Sequence, residues 1–433
     1  MGGALGKLGF DRRRVREECI KRRNKAKYAI EVDEERKTEA MLACMLLLRR
    51  RAVSARRRRR FRLLALACLG RLCDINTRID QISQPIERRF LRYHNQDPCT
   101  FTSKFRFRQE HMAQLQRALG IPGIVELTNG SRVNGQEAFL VMLFLTATGS
   151  MRINSEEMLG FENTQLGRIK DKIIAIILEN HEDKITDNLD WHMGYLTASR
   201  AAIRAKKRSL SPTRQYHVRT EDVCMLYDGW RFRIQRPGNA NLPQHGHVVN
   251  VQKYFYSGYT KDHNLLFIVA ATAYGLIVDL SGPYPGANND KGALRKSELV
   301  PRFRQALEDS HLDPDHYDML GDAIFSDGEN IRALYSKTVM DNNVALKDEN
   351  ALDQATRAPI EHTIGKMTQN WKALMFKHDK RILTGKLADL AKACCILTNA
   401  LTILNGGQPL GYFFDAANPF RLEMPTLEEY FDP

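Results

Sequence analysis

Two aspartates interrupt apolar segments at points where a charged side chain is costly. Asp228 follows the apolar run VCMLY and precedes Gly229, which puts a carboxylate at or within the first strand of a predicted buried sheet. Asp322 closes the run HYDMLGD in the same way, where a later parallel strand reaches its carboxyl end. Two carboxylates on neighbouring strands repel each other and raise one pKa unless a cation lies between them. The pattern therefore predicts a metal site.

Glu361 is the third candidate ligand. It lies in RAPIEHTIGKMTQNWKAL, one residue away from a helical core stripe, at the edge where a helix can reach over a sheet. The stripe has helical spacing and comprises Ile360, Ile364, Met367, Trp371 and Leu374. Carboxylate ligands of this kind suit Mg²⁺ or Mn²⁺ better than Zn²⁺.

The three acids together fit phosphodiester cleavage. Two divalent ions about 4 Å apart can activate a water or a 3′-hydroxyl and stabilise the leaving oxygen during in-line attack. The alternative is structural, because an aspartate at the end of a strand is more often a turn or helix cap.

The segments around these acids predict strands followed by alternating helices and strands. After Thr220 the hydrophobic period becomes that of strands, in VCMLYDGWRFRIQ, KYFYSG, NLLFIVAAT and LIVDLSG. A helix over 291–308, a strand in DHYDMLGD, a helix after Asp327, a short VALKD strand and a long helix over about 359–376 follow. This order predicts an α/β fold, a mixed five-stranded sheet with helices packed on it.

The preceding segment, residues 96–200, is predicted to be all-α. It contains an amphipathic helix, FRFRQEHMAQLQRAL, and a nearly all-apolar helix, GQEAFLVMLFLTATG. The run SEEMLGFENTQLGRIKDKIIAIILEN then has the rhythm of a helix-turn-helix, in which Ser155 caps a short helix and Gly160 makes the turn.

The second helix of this pair has two different faces. One face is apolar and is predicted to meet the core, namely Leu166, Ile169, Ile173 and Ile177. The other is polar and is left for solvent or a DNA groove, namely Gln165, Arg168, Lys170 and Lys172. Helical pairs of this kind are also common in protein cores, so both interpretations stay open.

The positive charge is concentrated at one end of the chain. The formal net charge is +14, and residues 1–90 account for all of it, since they hold 25 Lys and Arg against 11 Asp and Glu. The densest cluster consists of Arg56, Arg57, Arg58, Arg59 and Arg60. Cationic side chains displace counterions condensed on phosphates, so this arm is predicted to contact DNA or RNA. The clusters also suit nuclear import, and a solvated helical arm is the alternative.

Composition and cysteine spacing exclude several classes of protein. With 43% hydrophobic residues, 28 Gly and 15 Pro, the chain is neither collagen-like nor wholly disordered. Eight cysteines without a C-x-x-C pair favour reduced thiols over disulfides or a zinc site. The apolar runs at 41–48 and 63–70 are shorter than the roughly 20 residues that cross a bilayer, so we expect no membrane contact. Nor do we expect a signal peptide, because charge begins at Asp11.

From DGWRFRIQRP to SGPYPGANND and from MLGDAIF to RAPIEHTIGKMTQNWKAL, the chain resembles the nuclease domain of PIF/Harbinger-type DDE transposases in two segments. The first comprises DGWRFRIQRP and KYFYSGYTKDHNLLFIVAATAYGLIVDLSGPYPGANND, similar to the family's Asp-Gly strand, its Tyr-Ser-Gly strand pair and its Gly-rich loop. The second comprises MLGDAIF and RAPIEHTIGKMTQNWKAL, similar to the Gly-Asp-Ser-Gly-Tyr motif and the R-x-x-I-E helix. With FRFRQEH, ALGIP and GFENTQLGRIKDKI, the likeness extends over about residues 100–400.

The resemblance implies an RNase H-like fold and assigns roles to four acids. Asp228, Asp322 and Glu361 would be the catalytic triad that holds two Mg²⁺ or Mn²⁺ ions, and Asp290 would be an auxiliary acid. Trp230 departs from the family pattern, in which a small hydroxyl residue is usual. Ala323-Ile324 likewise replaces Ser-Gly. These changes leave the carboxylates in place and put the shape of the DNA groove in doubt.

The implied function is a nuclear transposase that cleaves transposon ends and joins them to target DNA. The resemblance also implies a Myb-like DNA-binding partner protein and a homo-oligomer. Arg233 and Arg236, which alternate with apolar residues, are predicted to contact phosphate or to form salt bridges. The alternatives are a host-adopted DNA-binding or scaffold protein without the chemistry, and a structure-specific repair nuclease.

These inferences divide the chain into five segments. They are a basic arm at 1–95, a helix-turn-helix-like domain at 96–200, a basic linker at 201–219, a nuclease domain at 220–405 and a tail at 406–433.

Overall fold

The computed structural model divides the chain into two units, residues 1–85 and residues 86–433. The described residues all belong to the second unit. They are 96–150, 155–156, 159–210, 220–238, 241–244, 247–325, 327–341, 343–377, 380–382, 386–405, 413–414 and 424–431. The basic arm, with its predicted contacts at Arg56 to Arg60, lies outside the described residues.

The first part of the second unit is mainly helical. Its helices are α1 Pro98–Phe105, α2 Met112–Ala118, α3 Gly135–Thr148, α4 Asn163–His181 and α5 Leu189–Leu210, with a short hairpin of β1 Ile124–Glu126 and β2 Arg132–Asn134 between α2 and α3. Asn134 caps α3 because its side chain accepts from the amides of Gln136 and Glu137. Gly149 ends α3 in the left-handed conformation, which glycine adopts without strain. Helix α3 is buried on nearly all sides, as its apolar sequence predicts.

The main sheet is mixed. Its strands are β3 Val223–Arg233, β6 Tyr256–Ser257, β7 Asp262–Thr272, β8 Ile277–Pro285, β9 Asp318–Gly321 and β10 Ile331–Ala333. Strand β3 pairs antiparallel with β7, and β7 pairs antiparallel with β8. On its other side β3 pairs parallel with β9, which pairs parallel with β10. An antiparallel meander extended by parallel strands is the RNase H-like arrangement expected from the sequence.

Short elements and helices surround this sheet. They are the hairpin β4 Asn241–Gln244 and β5 His247–Asn250, and the helices α6 Val251–Phe255, α7 Asp290–Ser297, α8 Leu299–Asp309, α9 Lys337–Asp341, α10 Val344–Asn370, α11 Leu387–Leu404 and α12 Leu427–Phe431. By length and composition alone α11 is apolar enough to cross a membrane, but most of it is buried inside the protein, as in a core helix. Asp389 and Lys392 interrupt its apolar run, so this helix was not predicted from the sequence.

Three predicted elements were wrong. KYFYSG forms the end of α6 and the two-residue strand β6 instead of one strand. The segment after Asp327 forms β10 before it forms a helix. The VALKD segment begins α10, whereas it was predicted as a strand. Short apolar runs fit either period, and the tertiary contacts decide between helix and strand.

The helical part and the sheet share one hydrophobic core. This core contains Phe139 of α3 and Ile173 of α4 together with Trp230 of β3 and Phe267 of β7. The first residues of the predicted linker at 201–219 belong to helix α5. This helix packs on β3, where the Ser199 hydroxyl donates to the Cys224 carbonyl over 2.6 Å.

The predicted tail is packed at residues 427–431. These residues form α12, and the fully buried Tyr430 accepts from Asn399 over 2.8 Å. Apolar side chains spaced along LEEYF bury one face of this short helix against the core.

Candidate active site

Strands β3 and β9 bring Asp228 beside Asp322. Their parallel register pairs Leu226 with Leu320. Asp228 lies two residues further along β3, and Asp322 directly follows the end of β9, so this register brings both aspartates to the same end of two neighbouring strands. Each carboxylate accepts from the amide of the following residue, Asp228 over 2.8 Å and Asp322 over 2.7 Å.

Glu361 joins this group through an arginine on its own helix. Arg357 lies one turn before Glu361 on α10 and donates through Nη2 to Glu361 Oε1. Through Nη1 the same guanidinium donates to Asp228 Oδ2 over 3.1 Å. The Arg357 side chain is 7% exposed, against 21% for Asp228 and 53% for Glu361. Glu361 therefore lies at the open edge of a site whose floor is Asp228 and Arg357.

The core stripe of α10 sets this position. Ile360, Met367 and Trp371 are fully buried, and Ile360 packs against Leu226 and Leu320 of the sheet. Because side chains three and four apart share a helix face, Arg357 stands on the sheet side of α10 and Glu361 beside it. The Glu361 side chain is half-exposed, next to this buried stripe.

Opposing effects act on the charges of this group. Burial raises the pKa of Asp228, Arg357 acts in the lowering direction, and the nearby Glu361 adds to the rise. Burial alone would lower the pKa of Arg357, but Asp228, Glu361 and Asp322 outweigh it and raise the pKa. Arg357 therefore stays cationic beside the two carboxylates that it contacts.

Asp290 lies on the other face of β3. Alternation along the strand puts Arg231 on the face opposite to Asp228, and Arg231 Nη2 donates to Asp290 Oδ1 over 2.6 Å. Gly229 permits this approach, because a methyl carbon on its Cα would lie 2.9 Å from Asp290 Cγ. Burial raises the pKa of Asp290, Arg231 opposes that rise, and Asp322 adds to it. The charge of Asp322 therefore acts both on Arg357, which contacts Asp228, and on Asp290.

An exposed aromatic ring lies near Arg231. The Tyr259 side chain, in the turn between β6 and β7, is 88% exposed. Its ring centroid lies 5.9 Å from the guanidinium carbon of Arg231. An aromatic face beside the Arg231 guanidinium is thus open to solvent.

A buried network anchors α10 to the elements before β3. Lys207 Nζ of α5 lies 2.6 Å from Asp353 Oδ1 of α10, and the Thr220 hydroxyl donates to the same oxygen over 3.1 Å. Lys207 and Asp353 are both almost fully buried. Asp353 lies one turn before Arg357, so this contact positions the helix next to the strand that carries Asp228.

The predicted DNA-contacting residues that belong to the described part of the chain lie outside this cluster. On α4 the apolar face is buried as predicted, Arg168 is exposed, and Gln165, Lys170 and Lys172 are half-buried. Arg233 is mostly exposed, and its Nε lies 4.0 Å from Asp262 Oδ2. Arg236 is exposed and donates to Gln252 over 3.1 Å.

The donor set fits a hard divalent cation in its chemistry. Its carboxylate oxygens are the ligands that Mg²⁺ and Mn²⁺ prefer. Across the described ranges, no three or more His, Cys, Asp or Glu side chains are grouped closely enough to hold one ion. Asp228 and Glu361 do not share an ion site here because the Arg357 guanidinium lies between them and contacts both carboxylates.

Sequence reasoning missed both arginines of the site. Arg357 had a usable signal, because it precedes Glu361 by four residues, the spacing at which helical side chains pair. Arg231 had a weaker signal, its place in the alternating strand after Asp228. Its pairing with Asp290 needed a contact between residues far apart in sequence, which spacing does not reveal.

Comparison with known proteins bears on this part of the chain. Residues 227–399 match the family described as DDE superfamily endonuclease. The match includes Asp228, Asp290, Asp322 and Glu361, and it supports a DDE transposase-like nuclease domain. No curated protein and no solved structure matches the chain.

Proposed function

We propose that this protein is a DNA transposase of the PIF/Harbinger type, which cleaves transposon ends and transfers the strands to target DNA. The observation that carries the proposal is the parallel register that sets Asp228 beside Asp322, with Glu361 tied to Asp228 through Arg357. The match of residues 227–399 to an endonuclease family supports it.

The carboxylates are the proposed metal ligands. Asp228, Asp322 and Glu361 would hold two Mg²⁺ or Mn²⁺ ions, which supply Lewis-acid activation of a water or 3′-hydroxyl and of the scissile phosphate. Strands β3 and β9 hold the two aspartates in fixed register, and the Lys207–Asp353 contact holds α10. Asp290 and Arg231 support β3 from its other face.

DNA contact is assigned to three parts of the chain. The Arg56–Arg60 cluster would bind phosphates without sequence preference, and the polar face of α4 would lie along DNA. Tyr259, exposed beside Arg231, is suited to stack on a nucleobase. A nuclear location, a Myb-like partner protein and a homo-oligomer belong to the same proposal.

Cleavage of DNA that carries the terminal inverted repeats flanking the gene tests the proposal. The full chain is expected to cut the repeat ends only with Mg²⁺ or Mn²⁺ present, and Asp228→Asn is expected to abolish cutting while DNA binding persists. Asp309→Asn, an exposed aspartate at the end of α8, serves as the control and should cut normally. Unchanged cleavage by Asp228→Asn would refute the assignment, and equal cutting of branched DNA without repeats would favour a repair nuclease.

One observation favours a second candidate, a host-adopted DNA-binding or scaffold protein. Arg357 already binds Asp228 and Glu361, so the fold compensates these carboxylates without an ion. Such a protein would bind DNA as tightly as its Asp228→Asn variant does. It would not bind Mn²⁺ and would cut no DNA. A gene without terminal repeats or short target duplications would agree with this candidate.

A further inference from the structure

Arg357 is the most deeply buried charged group that contacts the candidate ligands. Its side chain is 7% exposed, two of its nitrogens contact carboxylates, and its Nε lacks a hydrogen-bond partner among the described residues. A buried guanidinium is stable only when its charge is matched. The match here consists of Asp228 and Glu361, with Asp322 contributing through its charge.

The guanidinium also occupies oxygens that a metal ion would need. Its Nη1 contacts Asp228 Oδ2, while the other oxygen, Oδ1, accepts from the Gly229 amide. Its Nη2 contacts Glu361 Oε1. A cation that binds both carboxylates must therefore compete with Arg357 for the same side of the site.

We propose that Arg357 is a positioning residue, which holds Asp228 and Glu361 together in the metal-free protein and gives way when a divalent cation binds between them. This inference rests on the proposed function, because it takes the two carboxylates as metal ligands. The guanidinium brings one positive charge to two negative ones, and a divalent ion would balance both.

The surrounding structure lets the arginine move while the carboxylates stay in place. Asp228 lies within a strand paired on both sides, and α10 is held by Asp353 and by the buried Ile360. Glu361 is half-exposed, so the space beside it opens to solvent. A long side chain can therefore swing toward that edge without displacing the backbone.

Mn²⁺ binding by the full chain tests this role, measured by calorimetry and by the thermal midpoint with and without the ion. Arg357→Gln is expected to bind Mn²⁺ on the order of tenfold more tightly, because the competing charge-assisted hydrogen bonds are gone. Its midpoint should fall below the wild type without Mn²⁺ and recover at saturating Mn²⁺. Arg357→Lys, which keeps the charge but cannot bridge two carboxylates with one fork, should have an intermediate affinity.

Two controls separate this role from a general charge effect. Arg231→Gln removes a positive charge on the opposite face of β3 and should change Mn²⁺ affinity less than Arg357→Gln does. Arg302→Gln removes the partner of the buried Asp279 and should leave Mn²⁺ affinity unchanged.

The outcomes distinguish this inference from the proposed function. If the wild type binds Mn²⁺ and both Arg357 variants bind it equally or more weakly, the role of Arg357 is refuted and the metal site stands. If neither the wild type nor any Arg357 variant binds Mn²⁺, the metal chemistry fails and the inference fails with it. Binding by Arg357→Gln alone would support the inference and would identify Arg357 as a block to metal uptake.

Discussion

Asp228 and Asp279 are aspartates within two strands of the same sheet, and each is paired with an arginine. Asp279 of β8 lies 2.7 Å from Arg302, is 1% exposed and also accepts from the Ser281 hydroxyl. Asp228 of β3 is 21% exposed and shares its arginine with the half-exposed Glu361. The sheet register places the two aspartates on opposite faces, because Asp228 pairs with Val269 whereas Asp279 pairs with the adjacent Ala270.

The difference shows what separates a structural pair from a candidate site. Burial raises the pKa of both aspartates against the opposing effect of an arginine. A perturbed pKa alone therefore does not identify function. The open side of Asp228, and the additional carboxylates beside it, are what allow a ligand to enter.

The largest expected difference between the candidate site around Asp228 and the buried Asp279 pair is in catalysis. Asp322→Asn should lower metal-dependent cleavage by about a thousandfold, equivalent to about 4 kcal/mol of activation free energy, because it removes a proposed ligand. Asp279→Asn should retain cleavage within a few-fold once its stability is allowed for. Initial rates on terminal-repeat DNA at matched folded concentrations measure both, and similar losses in the two variants would erase the distinction.

The next effect is on stability. Arg302→Gln should lower the free energy of unfolding by about 3 kcal/mol, because it leaves the fully buried Asp279 without its ion pair. Arg357→Gln should lower it by about 1 kcal/mol, because Asp228 and Glu361 can reach water. Urea unfolding at pH 7 without divalent ions measures the difference. A larger loss for Arg357→Gln would mean that the Arg357 ion pairs contribute more to stability than the Arg302–Asp279 pair does.

Packing on the face of β3 opposite to Asp228 gives a smaller effect. Gly229→Ala should cost about 1–2 kcal/mol, because its methyl group displaces Asp290 from Arg231. Gly194→Ala is the matched control, since it lies exposed within α5 with no atom near the added methyl. That change should stabilise the protein by about 0.5–1 kcal/mol, because alanine favours helix. Equal behaviour of the two variants in urea would exclude the contact with Asp290.

The smallest effect concerns the pH dependence of stability that arises from Asp279. The pKa of Asp279 is raised in the fold above the unfolded value of about 3.9, so the folded state keeps this proton more readily. Its contribution to stability is complete below that value and is lost as pH rises through the raised pKa. Asp279→Asn lacks this loss, so its unfolding free energy should improve relative to the wild type as pH increases from 4. Unfolding curves at several pH values test the trend, and a constant difference would contradict it.

Local patterns in the sequence predicted a substantial part of the fold. Period-two apolar runs marked β3, β7 and β8, and helical spacing marked α3, α4 and the Ile360 stripe of α10. The same patterns failed where short runs fit both periods, as in VALKD, and they did not reveal that the helical part and the sheet share a hydrophobic core. Patterning reports which face of an element is apolar, but it does not report which element covers that face.

The sequence by itself determined the candidate acids and their elements, because a charge within an apolar run stands out without knowledge of its neighbours. Only the tertiary structure decided what compensates each acid: Arg357 for Asp228 and Glu361, Arg231 for Asp290, and Arg302 for Asp279. These pairings depend on strand order, register and helix placement, which bring together residues as far apart as Asp228 and Arg357. Electrostatic compensation acts through space, so its partners are set by the fold and not by spacing along the chain.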